Sequence, residues 1–178
     1  MPPPVRAYVA FGANLGDPFA AFAHALAALT ALPETRIAAC SAFYRSAPFG
    51  VAGEQPDYIN AVIALDTGLA PQALLDALLT IEAAGGRRRA APLAPRSIDL
   101  DLLLHGSTVL HTPTLTLPHP RMHQRAFVLL PLADIAPDLV IPGAGALALL
   151  LETVRNQRIV RMKEADAPIR SFAEPVIA

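Results

Sequence analysis

In the apolar stretch of residues 98–104 (IDLDLLL) two aspartates alternate with aliphatic residues. Strand alternation would put Asp99 and Asp101 on one face, about 7 Å apart, with Ile98, Leu100 and Leu102 turned to the core. Carboxylates so placed repel one another in a partly buried cleft unless cations sit between them, and oxygen-only donors of this kind suit Mg²⁺ with bound phosphate. The same alternation also describes the solvated outer face of an edge strand. The loop just ahead of the strand carries Arg87, Arg88, Arg89 and Arg96. Guanidinium forks bind phosphate oxygens in pairs and metal ions bridge neighbouring phosphates, so together these groups read as a polyphosphate clamp. An arginine run after a helix also complements the dipole and carbonyls there, which accounts for Arg87 or Arg88 but not for Arg96. A third cluster lies in residues 115–127 (LTLPHPRMHQRAF), where two prolines fix the backbone around His119 and Arg121, His123 and Arg125 follow. His119 fits a structural hydrogen-bonding role and a catalytic one equally well. His24, His105, His111 and His123 read as surface or structural.

The elements that must position these groups follow from pattern. Residues 8–11 read as a short strand ending at Gly12. Asp17 then caps a helix with Pro18 in its first turn and Phe19, Phe22, Ala23, Leu26 and Leu29 on one face. Residues 36–45 and 58–66 read as two strands joined by a loop too long for a tight hairpin. Pro71 opens a second helix with Leu74, Leu75, Leu78 and Ile81 at helical spacing, and Gly85-Gly86 ends it. After the aspartate strand comes a turn at residues 105–107 and a return strand around residues 108–111. The order βαββαβ is the ferredoxin-like arrangement, an α+β fold with an antiparallel sheet and both helices on one face. Further strands and helices follow, including residues 125–135, which Pro131 must bend, and residues 146–154. The expectation is one domain over residues 1–160 and a surface tail over residues 161–178.

Composition narrows the classes. The chain has 178 residues, 53% of them hydrophobic and only 16% charged, which excludes a disordered, coiled-coil or collagenous protein despite 18 prolines. The net charge of −1 leaves no excess to drive binding to nucleic acid or to an anionic membrane. Mean hydropathy is high at +0.42, yet His24, Pro33, Pro71, Pro131, Pro142 and Glu152 interrupt every apolar stretch before a membrane span is reached. Residues 7–13 make a poor signal peptide, so a cytoplasmic protein is expected. The single cysteine, Cys40, rules out internal disulfides and reads as a small buried strand residue. Lys163 is the only lysine, so phosphate chemistry must rest on arginine, metal ions and backbone amides rather than a P-loop or kinase lysine.

Six blocks in order, AYVAFGANLGDP, RSAPFG, QPDYINAVI, GRRR, PRSIDLDLLLHG and LTLPHPRMHQRAFVLLPLADIAP, resemble the 6-hydroxymethyl-7,8-dihydropterin pyrophosphokinases of folate biosynthesis. The resemblance implies transfer of the β,γ-diphosphate of ATP to the pterin hydroxymethyl group, with release of AMP and with two Mg²⁺ ions. It implies Asp99 and Asp101 as ligands shared by both ions, and Arg87 and Arg96 on the transferring phosphates. Tyr58 and Phe127 would sandwich the pterin, with Asn60 and the backbone around Ser46, Ala47 and Phe49 at its edge, and Gly12 would let the backbone approach closely. Glu82, Arg89, Leu102, Thr116 and His119 match nucleotide-side positions. Leu93 lies in a loop lacking the tryptophan many members carry, Ala90 replaces a frequent basic residue, Leu79 a glutamine and Thr114 an arginine. These departures imply a weaker hold on the triphosphate. Monofunctional action on ATP and the dihydropterin, as a monomer without nucleic acid or membrane, is the expectation. A ferredoxin-like binding module gives no reason for Asp99, Asp101 and Arg96 to converge, and a two-metal nuclease would want a basic surface.

Overall fold

A computed structural model describes residues 3–48, 53–86 and 96–163. Its elements are β1 (Val5–Ala13), α1 (Pro18–Thr30), β2 (Thr35–Cys40), β3 (Tyr44–Ser46), β4 (Tyr58–Thr67), α2 (Pro71–Ala84) and β5 (Asp99–His105), then β6 (Leu110–His111), β7 (Thr116–Leu117), a short 3₁₀ turn (Met122–Gln124), α3 (Ala126–Ile135), β8 (Val140–Ile141), β9 (Gly145–Ala146), α4 (Leu147–Val154) and β10 (Ile159–Arg161). The βαββαβ core is present. Strand β1 lies between β4 and β5, antiparallel to both. Strands β2 and β3 pair with successive parts of β4, and β10 extends the sheet beyond β3.

Local chemistry explains most boundaries. The Asp17 carboxylate accepts the Phe19 and Ala20 amides at 3.0 and 3.1 Å, capping α1 ahead of Pro18. Pro71 starts α2, and Gly86 just beyond its end takes the left-handed conformation at φ 85°. Phe22, Leu26 and Leu29 of α1 and Leu74, Leu78 and Ile81 of α2 pack on Ala7, Val9, Phe11, Ile63, Leu65, Leu100 and Leu102. The opposite sheet face, Tyr8, Val62, Ala64, Leu103 and Leu104, is covered by residues of α3 and α4 with Met122 and Ile141. Strand β4 is buried from Ile59 to Thr67, and its middle, Ala61 to Leu65, covered on both faces, is a continuous apolar run.

Three local expectations are corrected. The strand expected over residues 36–45 is two strands, because the Ser41 hydroxyl accepts the Val62 amide at 2.8 Å while the Ser41 amide donates to the Val62 carbonyl at 2.9 Å. A side chain thus stands in for the ladder where β2 hands β4 over to β3. The return strand expected over residues 108–111 shrinks to β6, paired with β7. Helix α3 runs through the buried Pro131, which has no N–H to give the Phe127 carbonyl. In β5 the alternation holds from Ile98 to Leu103 and then breaks: Tyr8 faces Leu104 while Val9 faces Leu102, leaving Leu103 as a bulge residue. The tail expected from Arg161 begins inside β10, where Arg161 faces Tyr44; residues 164–178 lie outside the described residues.

Candidate active site

Of the expected site residues, Gly12, Tyr58, Asn60, Asp99 and Asp101 gather at one end of the sheet, whereas Leu102 is buried in the core beneath α1 and α2. In register, Gly12 faces Asn60 of β4 on one side and Asp99 of β5 on the other. By strand alternation Gly12, Tyr58, Asn60, Asp99 and Asp101 lie on the same face as Tyr8, Val62, Ala64 and Leu103, the face that α3 and α4 cover further along. A Cβ added to Gly12 would meet Asn60 Oδ1 at 3.5 Å and the Tyr58 ring at 3.8 Å. Those are ordinary contacts, so protein packing alone does not demand a glycine there.

Asn60 is 3% exposed, and its Nδ2 donates to Ser46 Oγ at 2.9 Å and to the Tyr44 carbonyl at 3.3 Å. Both amide hydrogens are thereby committed to β3, and Oδ1 turns toward the space above Gly12. Ser46 is buried, whereas Ala47 is exposed. Phe127, in the first turn of α3, is partly buried against the same sheet face, and the Arg125 guanidinium stands 5.4 Å from the centre of its ring.

On the β5 side, Arg96 donates from its guanidinium to Asp99 at 2.6 Å. The repulsion expected between Asp99 and Asp101 is therefore answered by an arginine already in place. Burial lowers the Arg96 pKa, but Asp99, with Tyr58 and Asp101, outweighs it and raises the guanidinium above its ordinary value. Arg125 goes the other way: burial and the neighbouring Arg121 hold it below the ordinary value although Asp101 and Asp99 pull it up. His119, tethered by its amide to the Leu103 carbonyl at 2.9 Å, is pushed down to about 4, first by burial and then by Arg125 and Arg121. It is neutral at pH 7. Its Nδ1 accepts the Arg121 amide at 3.2 Å, so the ring proton is assigned to Nε2.

Glu82, buried on α2, accepts the Leu100 amide at 2.7 Å on Oε1. Leu102 is buried and Thr116 half-buried on β7. Thr114 donates to the Gln72 amide oxygen at 2.8 Å, which ties the β6–β7 arm to the start of α2. Arg87, Arg88, Arg89, Ala90, Leu93 and Phe49 lie outside the described residues. Among the described residues no cluster of three or more His, Cys, Asp or Glu side chains could form a metal cage. Two neighbouring carboxylates without a third fit a cation that brings phosphate and water ligands with it, which is the usual manner of Mg²⁺.

Pattern reading gave Asn14 and Arg125 no role. Asn14 follows β1 directly and is 3% exposed. An amide side chain two residues after a strand-ending glycine was the available signal.

The family model described as 7,8-dihydro-6-hydroxymethylpterin-pyrophosphokinase matches residues 8–137. A Pseudomonas aeruginosa protein named 2-amino-4-hydroxy-6-hydroxymethyldihydropteridine pyrophosphokinase is 49% identical over 90% of this chain and 98% of its own length. A Haemophilus influenzae protein of the same name is 39% identical over 89% of this chain and 98% of its own. Among solved structures, a Plasmodium falciparum HPPK-DHPS triple mutant superposes with a TM-score of 0.66 at 12% identity, covering 84% of this chain and 43% of that one. Another HPPK-DHPS structure gives 0.64 at 15% identity, covering 85% and 43%. The chain spans under half the length of these fused proteins, and at such identities they establish the α+β fold alone. From the family match and the extent of these relatives, the chain belongs to the 7,8-dihydro-6-hydroxymethylpterin-pyrophosphokinase family.

Proposed function

We propose that pyrophosphoryl transfer from ATP to hydroxymethyldihydropterin, the reaction of this family, is carried out around Gly12, with the pterin on the β4 side and the triphosphate on the β5 side. The observation that carries this reading is the register of β1, which sets Asn60 and Asp99 on opposite flanks of one residue without a side chain. Tyr58 and Phe127 offer flat apolar surfaces to the ring, and Asn60 Oδ1 offers an acceptor to its N–H edge. Ser46 supports Asn60, and the resemblance adds Ala47 and Phe49 at the edge. Asp99 and Asp101 would hold two Mg²⁺ ions through their carboxylate oxygens, with phosphate and water as the other ligands. Bound there, Mg²⁺ would offset triphosphate charge and acidify the attacking hydroxyl.

In the transfer, the hydroxymethyl oxygen attacks the β-phosphorus, the bond from that phosphorus to the α,β-bridging oxygen breaks, and its electron pair leaves with AMP as the hydroxyl proton is lost. Arg96 and Arg125, with Arg87 and Arg121, supply positive charge where the phosphoryl oxygens and the leaving oxygen gain negative charge. His119 presents Nε2–H as a donor; its opposite nitrogen is taken by the Arg121 amide, so it is no general base. The resemblance further assigns Glu82, Arg89, Leu102 and Thr116 to the nucleotide side. Positioning and charge stabilisation carry the reaction.

Action as a monomer is part of the proposal. The net charge of −1 supports small-molecule rather than nucleic-acid partners. No helix among the described residues is long and apolar enough to cross a membrane, in keeping with the proposed cytoplasmic location. Incubation with ATP, Mg²⁺ and the dihydropterin is expected to give AMP and pterin diphosphate, with nothing formed when Mg²⁺ is chelated. Formation of ADP, or undiminished turnover with the metal removed, would overturn the reading.

A further inference from the structure

One buried side chain joins the two halves of this site. Asn14 Oδ1 accepts the Arg96 amide at 2.9 Å, and the Asn14 amide donates to the Arg96 carbonyl at 3.0 Å. Its Nδ2 donates to the Pro56 carbonyl at 3.1 Å and to Gln55 Oε1 at 3.3 Å. Asn14 thus holds both backbone polar groups of Arg96, whose guanidinium lies on Asp99, and the segment that leads into Tyr58. Both contacts converge just past Gly12, where the two substrate half-sites meet.

We propose that Asn14 is a positioning residue that couples the two substrates: occupancy of the triphosphate side, felt at Arg96, fixes the Gln55–Pro56 segment and so prepares the pterin side, and the converse. This rests on the site assignment above. The physical argument is that a buried carboxamide has a fixed donor end and a fixed acceptor end, so movement at one end must be matched at the other or leave a buried polar group unpaired. Such reciprocity is what thermodynamic coupling requires.

Asn14→Asp separates the two ends. The isosteric carboxylate still accepts the Arg96 amide but cannot donate to Pro56 or Gln55. Gln55→Ala removes one arm only, at a partly exposed position. In each folded protein, confirmed by circular dichroism and thermal melting, calorimetry should measure hydroxymethyldihydropterin affinity with and without saturating α,β-methylene ATP and Mg²⁺. The wild-type protein is expected to show mutual strengthening of about tenfold. The factor should fall close to one in Asn14→Asp and to an intermediate value in Gln55→Ala, with the binary affinities changed less than about threefold. In turnover kcat should fall more than the KM for ATP rises.

An unchanged coupling factor in either folded variant overturns the proposal. So do binary affinities that fall in step with the ternary one, which would make Asn14 merely structural. If Asn14→Asp does not fold, Gln55→Ala decides alone. A wild-type protein that binds neither ligand refutes the site assignment itself, and the coupling with it; one that binds both without mutual effect refutes the coupling only.

Discussion

The two ends of the central sheet use the same ion-pair chemistry to opposite effect. At the end away from Gly12, Asp66 of β4 takes Arg6 at 2.6 Å on one oxygen and Arg36 at 2.7 Å on the other. The Arg6 hydrogen bond holds the Asp66 carboxyl below its usual range, and Asp66 in return raises the Arg6 guanidinium. At the site end, Arg96 is raised by Asp99, but Arg125, crowded by burial and by Arg121, is lowered. Asp66 closes a network that its own protein completes. The cluster at the other end gathers guanidinium groups around two carboxylates until burial and Arg121 cost Arg125 more than Asp101 and Asp99 return, and an added anion would relieve it. Arg96 shares the upward direction of Arg6, and Arg125 alone departs from it, as the polyanion proposed for that end would require.

The comparison is most directly broken by removing carboxylates. Asp99→Ala or Asp101→Ala is expected to lower turnover on the order of 10³-fold or more at saturating Mg²⁺, whereas Asp66→Ala should leave kcat near wild type. Asp66→Ala should instead lower stability by about 1–2 kcal/mol, the exposure of Arg6 and Arg36 keeping the loss below that of a fully buried network. Activity assays beside urea denaturation of the three variants test the pair of statements, and kinetic damage from Asp66→Ala would erase the distinction.

Arg96→Ala comes next. Its kcat is expected to fall by roughly 10²-fold, with a much smaller rise in the dissociation constant of an ATP analogue, because charge moves onto the phosphoryl oxygens only as the bond breaks. Single-turnover kinetics beside equilibrium binding decide this; a large loss of affinity with an unchanged chemical step would make Arg96 an anchor and no more.

His119 sharpens the contrast through pH. Its folded pKa lies below the ordinary value, at about 4 against 6.5, so the unfolded chain binds the proton more tightly. The contribution to stability is fully present above about pH 6.5 and is lost as the pH falls toward 4. Discounted for partial exposure, the loss is on the order of 1–2 kcal/mol. Denaturant midpoints of His119→Gln should show a shallower acid-side slope across this window, and an unaltered slope would remove His119 as its source.

The smallest effect on stability is expected at Gly12. A Cβ there meets only ordinary contacts, so Gly12→Ala should shift stability by about 0.5 kcal/mol or less, while weakening pterin binding, read by calorimetry, by about tenfold through lost space. A pterin affinity equal to wild type would place the ring elsewhere.

What was legible in the sequence shares a physical character. The Asp99–Asp101 alternation, the Asp17 cap and the Pro71 start are set by neighbours within a few residues, and the structure carries them at those positions. The break between β2 and β3 was hidden because it depends on Ser41 meeting Val62 across the sheet. Asn14 was hidden for the same reason, since its partners come from two loops distant in the chain. The bulge at Leu103 escaped because an apolar run (LLL) carries no marker of which leucine is the extra one. The arginine-rich stretch was visible as composition, but only the fold shows that Arg125 shares the cluster with Arg96 and Asp99.

The register of β1 also sets the order in which the site can come into being. Gly12 is synthesised before both of its neighbours, Asn60 on one flank and then Asp99, about half the chain later, on the other. Helix α1 forms from local contacts, whereas β1 must wait for β4 and then β5 before its edges are paired. A ribosome-bound chain stopped before β5 would therefore hold a half-made pterin side and no triphosphate side. On the proposed assignment neither half-site is complete before β5, so truncated or stalled chains should not sequester either substrate.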